Sequence, residues 1–200
     1  RIVAITLASN SLGAVPDFMR FQKLIQKTDA YTVVDAVHYA AHFPVDVKLL
    51  DCDFLLCSAY KFYGPHVGIL YSRPGLLDTI ATDRLRTQKA QAPYRIETGT
   101  LNHAAIAGVG AAINYLSTWG AGNDRREQLA DAMRQIGIYE HGLASYYYDG
   151  LKTITGVTRW GPNFDKSPRA PTISISLRGT APEIAASALA ESGLQLWHGH

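Results

Sequence analysis

Three polar side chains follow apolar runs that read as strands: Asn10 after Ile2–Leu7, Asp35 after Tyr31–Val34, and Ser58 after Asp53–Cys57. Lys61 comes three residues after Ser58, inside Ser58-Ala59-Tyr60-Lys61-Phe62-Tyr63-Gly64-Pro65. In an open parallel sheet, ligands bind beyond the carboxyl ends of the strands, so these groups belong to one edge. A Lys and an Asp there admit two readings. One is an ion pair at a strand end, the ordinary fate of an isolated pair. The other is pyridoxal phosphate chemistry, which needs a Lys amine for a Schiff base and an acid for the pyridine nitrogen. The amine attacks only when it is neutral, and burial beside another cation favours that form. A small hydroxyl such as Ser58 suits a phosphate.

The elements that must hold these groups are legible as an α/β pattern. Ile2–Leu7 is a continuous apolar run, the mark of a strand buried on both faces of a parallel sheet. Pro16-Asp17 opens a helix whose apolar stripe is Phe18, Phe21, Leu24 and Ile25. Tyr31–Val34 is a strand, Ala36–His42 a short helix, and Asp53–Cys57 and Val67–Tyr71 two further strands. Gly64-Pro65 is expected to bar a helix after Ser58. Thr79–Gly99 reads as a long irregular loop, and His103–Thr118 and Arg125–Tyr148 as helices. Beyond Gly150, Thr172–Leu177 alternates as a strand, Pro182–Ser192 is a helix ended by Gly193, and Leu194–Trp197 is expected to be a last strand. The division expected is 1–120 for a larger domain, 121–150 for a linking helix and 151–200 for part of a smaller α+β domain.

Composition removes several function classes. The chain has 200 residues, and nineteen Lys+Arg against seventeen Asp+Glu leave a net charge of +2 without a basic stripe, so no nucleic-acid partner is expected. Apolar runs are too short to span a bilayer, and no secretory leader is expected. Cys52 and Cys57 are the two cysteines, which fits a reduced cytoplasmic protein, and both are expected to pack as small hydrophobes. The chain begins at Arg1, so a fragment of a longer protein is expected.

The ordered series Asp35-Ala36-Val37-His38, Val45-Asp46, Cys52-Asp53-Phe54, Ser58-Ala59-Tyr60-Lys61, Tyr63-Gly64-Pro65, Val67-Gly68-Ile69-Leu70-Tyr71 and Glu97-Thr98-Gly99-Thr100-Leu101-Asn102 resembles the class V aminotransferase family, within it the cysteine desulfurase-like branch. The similarity runs from about Ser9 to Gly199. It implies a fold-type I, pyridoxal phosphate-dependent enzyme: α/β, with the mostly parallel sheet of a large domain incomplete at its N-terminus and a smaller α+β C-terminal domain. It also implies roles. Lys61 carries the Schiff base and moves protons at the substrate Cα, Asp35 pairs with the pyridinium nitrogen, and Asn10 bonds the phenolic oxygen or its neighbours. Ser58 binds phosphate, and Thr100 reaches the phosphate of a partner subunit's cofactor, which implies a homodimer with shared sites. The implied substrate is a small amino acid.

The sequence departs from the desulfurase pattern at three places. His38 stands where desulfurases have Gln at the phenolic oxygen, and imidazole still donates there. Tyr60 replaces the His before the Lys, and a phenol still bonds phosphate. Trp197 of Trp197-His198-Gly199 replaces the Arg that clamps the substrate carboxylate, and any cysteine nucleophile would lie beyond His200. Transamination, elimination or epimerisation then fits as well as desulfuration. Among the basic loop residues Arg84, Arg86, Lys89 and Arg95, one is a candidate to replace that clamp. Three rival readings compete: a serine hydrolase using Ser58-x-x-Lys61, a zinc pair His38/His42 without a convincing third ligand, and a non-catalytic scaffold of the same fold.

Overall fold

The computed structural model describes residues 1–165 and 168–199; Lys166, Ser167 and His200 lie outside the described residues. The chain divides into two units, one of residues 1–7 and 16–136 and a second of residues 8–15 and 137–200.

The first unit is built on a four-stranded sheet in the order β1 (Ile2–Thr6), β2 (Tyr31–Asp35), β3 (Phe54–Ser58), β4 (Gly68–Ser72). The first three strands run parallel, and β4 closes the edge antiparallel to β3. The register aligns Thr6 with Asp35, Asp35 with Leu56 and Ser58 with Gly68. Side chains alternate across the pleat, so Ile5, Val34, Leu55, Cys57, Ile69 and Tyr71 share one face. That face is the core. Leu7, Phe18, Val34, Ala36, Cys52 and Leu55 form one buried cluster, and Ala59, Phe62, Leu116 and Met133 form another. The cover comes from α1 (Phe18–Ile25), α2 (Val47–Leu50), α4 (His103–Ser117) and the first half of α5 (Arg125–Gly150); α3 is the short Leu76–Thr79.

The opposite face differs from the sequence expectation. The run Ile2–Leu7 is expected to be buried on both faces, yet Ile2 is 70 % exposed, and on the neighbouring strands Tyr31 is 38 %, Leu56 39 % and Leu70 43 % exposed. All four stand on the same side of the sheet by the register. A second difference lies in α1. Asp17 is its N-cap, its carboxylate accepting from the Arg20 N–H at 3.2 Å, so Pro16 precedes the cap rather than opening the first turn. Phe21 and Leu24 of the expected stripe are exposed, and Gln22 is buried in their place. A buried amide must be hydrogen-bonded. Gln22 donates to the Asp51 carbonyl at 2.6 Å and accepts from the Thr32 hydroxyl at 3.3 Å.

In the second unit, β5 (Val157–Trp160) and β6 (Ser174–Leu177) form an antiparallel pair. Helix α6 (Pro182–Glu191) starts with Pro at its first turn, where a missing N–H costs nothing. Ala144, Tyr148 and Phe164 are the buried centre, with Ile173 against them. Leu194–Trp197 is not a strand, and Trp197 is 87 % exposed. A short apolar run becomes a strand only beside a free ladder, and among the described residues none pairs with it.

Candidate active site

Strands β2 and β3 end side by side, and their last residues are Asp35 and Ser58. Asp35 opposes Leu56, and Ser58 follows two residues later, so both side chains stand on the exposed face at the carboxyl edge. The carboxylate of Asp35 accepts from the Val37 N–H at 2.9 Å, an Asx turn that fixes its direction as the strand ends. The ladder continues one residue further through the Ala36 N–H to the Leu56 carbonyl at 2.8 Å.

Lys61 lies in a single 3₁₀ turn, Ala59–Phe62, directly after β3. Gly64-Pro65 is expected to bar any helix there; one turn forms and stops at Tyr63, whose φ is +67°. Gly64 lets the chain fold back on itself. A Cβ at that residue would sit 2.9 Å from the Ala59 Cβ and 3.0 Å from its carbonyl oxygen, and the Gly64 N–H donates to that carbonyl at 2.9 Å. Ala59 and Phe62 are buried, and they draw Lys61 down to half-burial. Ser58 is extended, with φ −123° and ψ 122°, so it shares no helix face with Lys61. The serine-hydrolase geometry is therefore lacking.

The Lys61 Nζ lies 5.3 Å from the centroid of the Tyr60 ring, within the range of cation–π attraction. The Tyr60 ring is itself stacked on His66, with centroids 4.7 Å apart and planes 8° off parallel. His66 is a residue that sequence reasoning missed. Nothing in its spacing marks it; only the turn through Gly64-Pro65 brings position 66 back over position 60. His38 begins the 3₁₀ turn Tyr39–Ala41, which packs against the Lys61 turn, and its ring meets His42 edge-on at 4.8 Å.

Thr100 is exposed in the loop two residues before Asn102, whose side chain caps α4 through the Ala105 N–H at 3.1 Å. Asn10 is exposed on the loop 8–15, which belongs to the second unit. The first unit thus gathers Asp35, His38, Ser58, Tyr60 and Lys61 at one sheet edge, and Asn10 and Thr100 come from loops elsewhere.

Arg95, a candidate for a substrate clamp, is tied up inside its own loop. Its guanidinium donates to the carbonyls of Asp78 at 2.7 Å and Ile80 at 2.8 Å and to the Thr82 hydroxyl at 3.3 Å. It holds the irregular segment together in place of a helix or strand. Burial pushes the thiols of Cys52 and Cys57 above the ordinary cysteine range, consistent with packing residues.

The whole chain, residues 1–200, matches the model of the family described as Aminotransferase class-V. Among curated proteins, a cysteine desulfurase of Klebsiella pneumoniae is 37 % identical over an alignment of 175 residues, with 81 % of this chain and 40 % of that protein covered. An Escherichia coli cysteine desulfurase is 36 % identical over the same shares. Among solved structures, an apo cysteine desulfurase from Thermococcus onnurineus superposes with a TM-score of 0.80 at 28 % identity, over 97 % of this chain and 48 % of that one. An E. coli cysteine desulfurase superposes with a TM-score of 0.78 at 26 % identity, over 98 % and 48 %. The fold is α/β with a mostly parallel sheet, the architecture of these cysteine desulfurase structures. The chain belongs to the class-V aminotransferase family, on its cysteine desulfurase-like branch. It spans about half the length of the relatives it matches.

The residues present fit the pyridoxal phosphate that this family implies. An exposed carboxylate on a strand end, a half-buried amine on the next turn and a hydroxyl between them are the donor set such a group requires.

Proposed function

We propose that this chain carries the lysine-bearing part of a pyridoxal phosphate-dependent enzyme that acts at the Cα of a small amino acid. One observation supports this most directly: Asp35 and Ser58 share a face at adjacent strand ends, and Lys61 follows on the next turn. When bound, the cofactor supplies an electron sink for charge developing at the substrate Cα. Lys61 is the amine that would hold it by its aldehyde, and the same amine moves the proton at Cα. Asp35 keeps the pyridine nitrogen protonated. Its Asx turn holds the carboxylate in one orientation, so little ordering is left to be done on binding. Ser58 and Tyr60 offer hydroxyls to the phosphate, and His38 and Asn10 offer donors to the phenolic oxygen. Thr100 reaches the phosphate in a partner subunit, which makes the active form a homodimer. Cysteine is one candidate substrate, as the names of the relatives state for those proteins. Both cysteines of this chain are unpaired, which fits a reducing cytoplasm.

Borohydride reduction of the pyridoxal phosphate-loaded protein, followed by peptide mass mapping, tests the assignment. A pyridoxyl adduct on Lys61 is expected, lost in Lys61→Arg and weakened in Asp35→Asn. An adduct elsewhere, or none, removes the reading and leaves a non-catalytic relative of the same fold. Light scattering of the loaded protein tests the dimer.

A further inference from the structure

Arg169 is only 3 % exposed, and among the described residues no carboxylate lies against it. A buried guanidinium without a counter-ion must be satisfied by neutral acceptors. Here they are four carbonyls. Nη2 donates to Leu12 at 2.9 Å and to Thr172, Nη1 to Pro162, and Nε to Ala170 at 3.4 Å. The Phe164 ring lies 4.2 Å from its Cζ and the Tyr148 ring 5.6 Å. The loop 8–15 is docked around this fork. Ala14 pairs with Arg169 in an antiparallel bridge, the Ala170 N–H donates to the Gly13 carbonyl at 2.8 Å, and the Ser174 hydroxyl donates to the Ser11 carbonyl. Gly13, at φ +68°, is pressed so closely that a Cβ there would lie 2.6 Å from the Ala170 oxygen and 3.1 Å from the Arg169 Nη2. The loop also closes on itself through the Ser9 N–H to the Ala14 carbonyl and the Gly13 N–H to the Ser9 carbonyl, both 2.9 Å. Asn10 and Leu12 are its exposed residues.

We propose that Arg169 is a positioning residue for Asn10: its guanidinium fork fixes the loop that presents the Asn10 amide. This rests on the reading of Asn10 as a cofactor contact. The guanidinium spreads its five N–H donors over three nitrogens and so reaches all four carbonyls; a lysine ammonium has three donors on one nitrogen and cannot serve four. Arg169 acts through the loop and touches no reacting atom.

The test combines hydrogen exchange on the protein without cofactor with absorbance of the loaded protein. Arg169→Lys is expected to speed amide exchange at residues 11–14 by roughly tenfold, the scale of losing a bond to a charged group. Gly13→Ala, whose Cβ crowds the Ala170 carbonyl and the Arg169 guanidinium from the loop side, is expected to do the same and serves if Arg169→Lys does not fold. In the loaded protein, Arg169→Lys is expected to move the absorbance band in the direction of Asn10→Ala, and to add nothing in the Asn10→Ala background. Unchanged exchange in Arg169→Lys overturns the proposal, and so does an equal band shift with and without Asn10. If Asn10→Ala itself leaves the band unmoved, the cofactor reading of Asn10 fails instead, and the exchange result alone decides whether Arg169 holds the loop.

Discussion

Lys61 does not stand alone at the sheet edge. Its ammonium lies over the Tyr60 ring, and that ring is held flat against His66. An aromatic pair of this kind contributes about 0.5–1.5 kcal/mol beyond its buried area. Freeing Tyr60 therefore releases the surface on which the amine rests. His66→Ala is expected to lower the rate of reductive pyridoxylation at Lys61 roughly two- to tenfold. His66→Phe, which keeps a flat ring at the position, is expected to retain most of the rate. Equal loss in both variants would assign the imidazole a role other than stacking.

At the scale of elements, one charged network ties α1 to the strand ends. Arg73, just after β4, donates to the Asp51 carboxylate at 2.8 Å, to the Asp51 carbonyl at 2.8 Å and to the Asp53 carboxylate at 3.0 Å. Gln26 of α1 adds a bond to Asp51 at 2.7 Å, and the Thr32 N–H of β2 donates to Asp53 at 2.8 Å. Hydrogen bonding to Arg73 holds the Asp51 carboxyl below the usual carboxylate range, and the N–H groups of Leu49 and Lys48 do the same for Asp46 at the start of α2. A carboxyl depressed in the folded state stabilises fully above the ordinary Asp value of about 3.9, and that stability is lost as pH falls through the folded value. The melting temperature is thus expected to hold from neutrality to about pH 5 and to fall below about pH 4. In Arg73→Met the neutral value drops and the acid fall becomes shallower, because Asp51 then loses the main cause of its depression and keeps only the Gln26 bond. A fall as steep as in the parent would deny Arg73 this role. Asp17→Ala, which removes the cap of α1, is expected to cost about 1 kcal/mol in urea unfolding.

At the scale of the molecule, the sheet has one covered face and one bare one. Parallel strands are normally covered on both sides, and a contiguous apolar patch on a protein surface marks a contact surface. On the bare face Leu56 and Leu70 pair beside Asp35 and Ser58, and Ile2 and Tyr31 pair at the other end of β1 and β2. The protein is therefore expected to enhance the fluorescence of an apolar dye such as anilinonaphthalene sulfonate while natively folded. The double variant Leu56→Thr, Leu70→Lys is expected to reduce that signal with the fold intact by circular dichroism. Undiminished dye binding in the variant would place the apolar surface elsewhere.

Much of this protein was determined locally and could be read from the chain. The apolar runs at Tyr31–Val34 and Phe54–Cys57 and the alternation before Leu177 are strands because their backbones find ladders nearby. The polar residue that ends each of the first two, Asp35 and Ser58, follows from where the run stops. The order of motifs around Lys61 carries the family. What the tertiary structure alone decided are quantities set by partners far along the chain. Periodicity assigns Phe21 and Leu24 to the buried face of α1, but the Asp51 carbonyl and Thr32 reward burial of Gln22 instead. Apolar composition cannot say whether both faces of a sheet are covered, because cover comes from other elements. Leu194–Trp197 has the residues of a strand and lacks a partner. His66 over Tyr60, and Arg169 beneath the Asn10 loop 157 residues from Leu12, are contacts between distant positions, created when the chain closes and invisible in any local pattern.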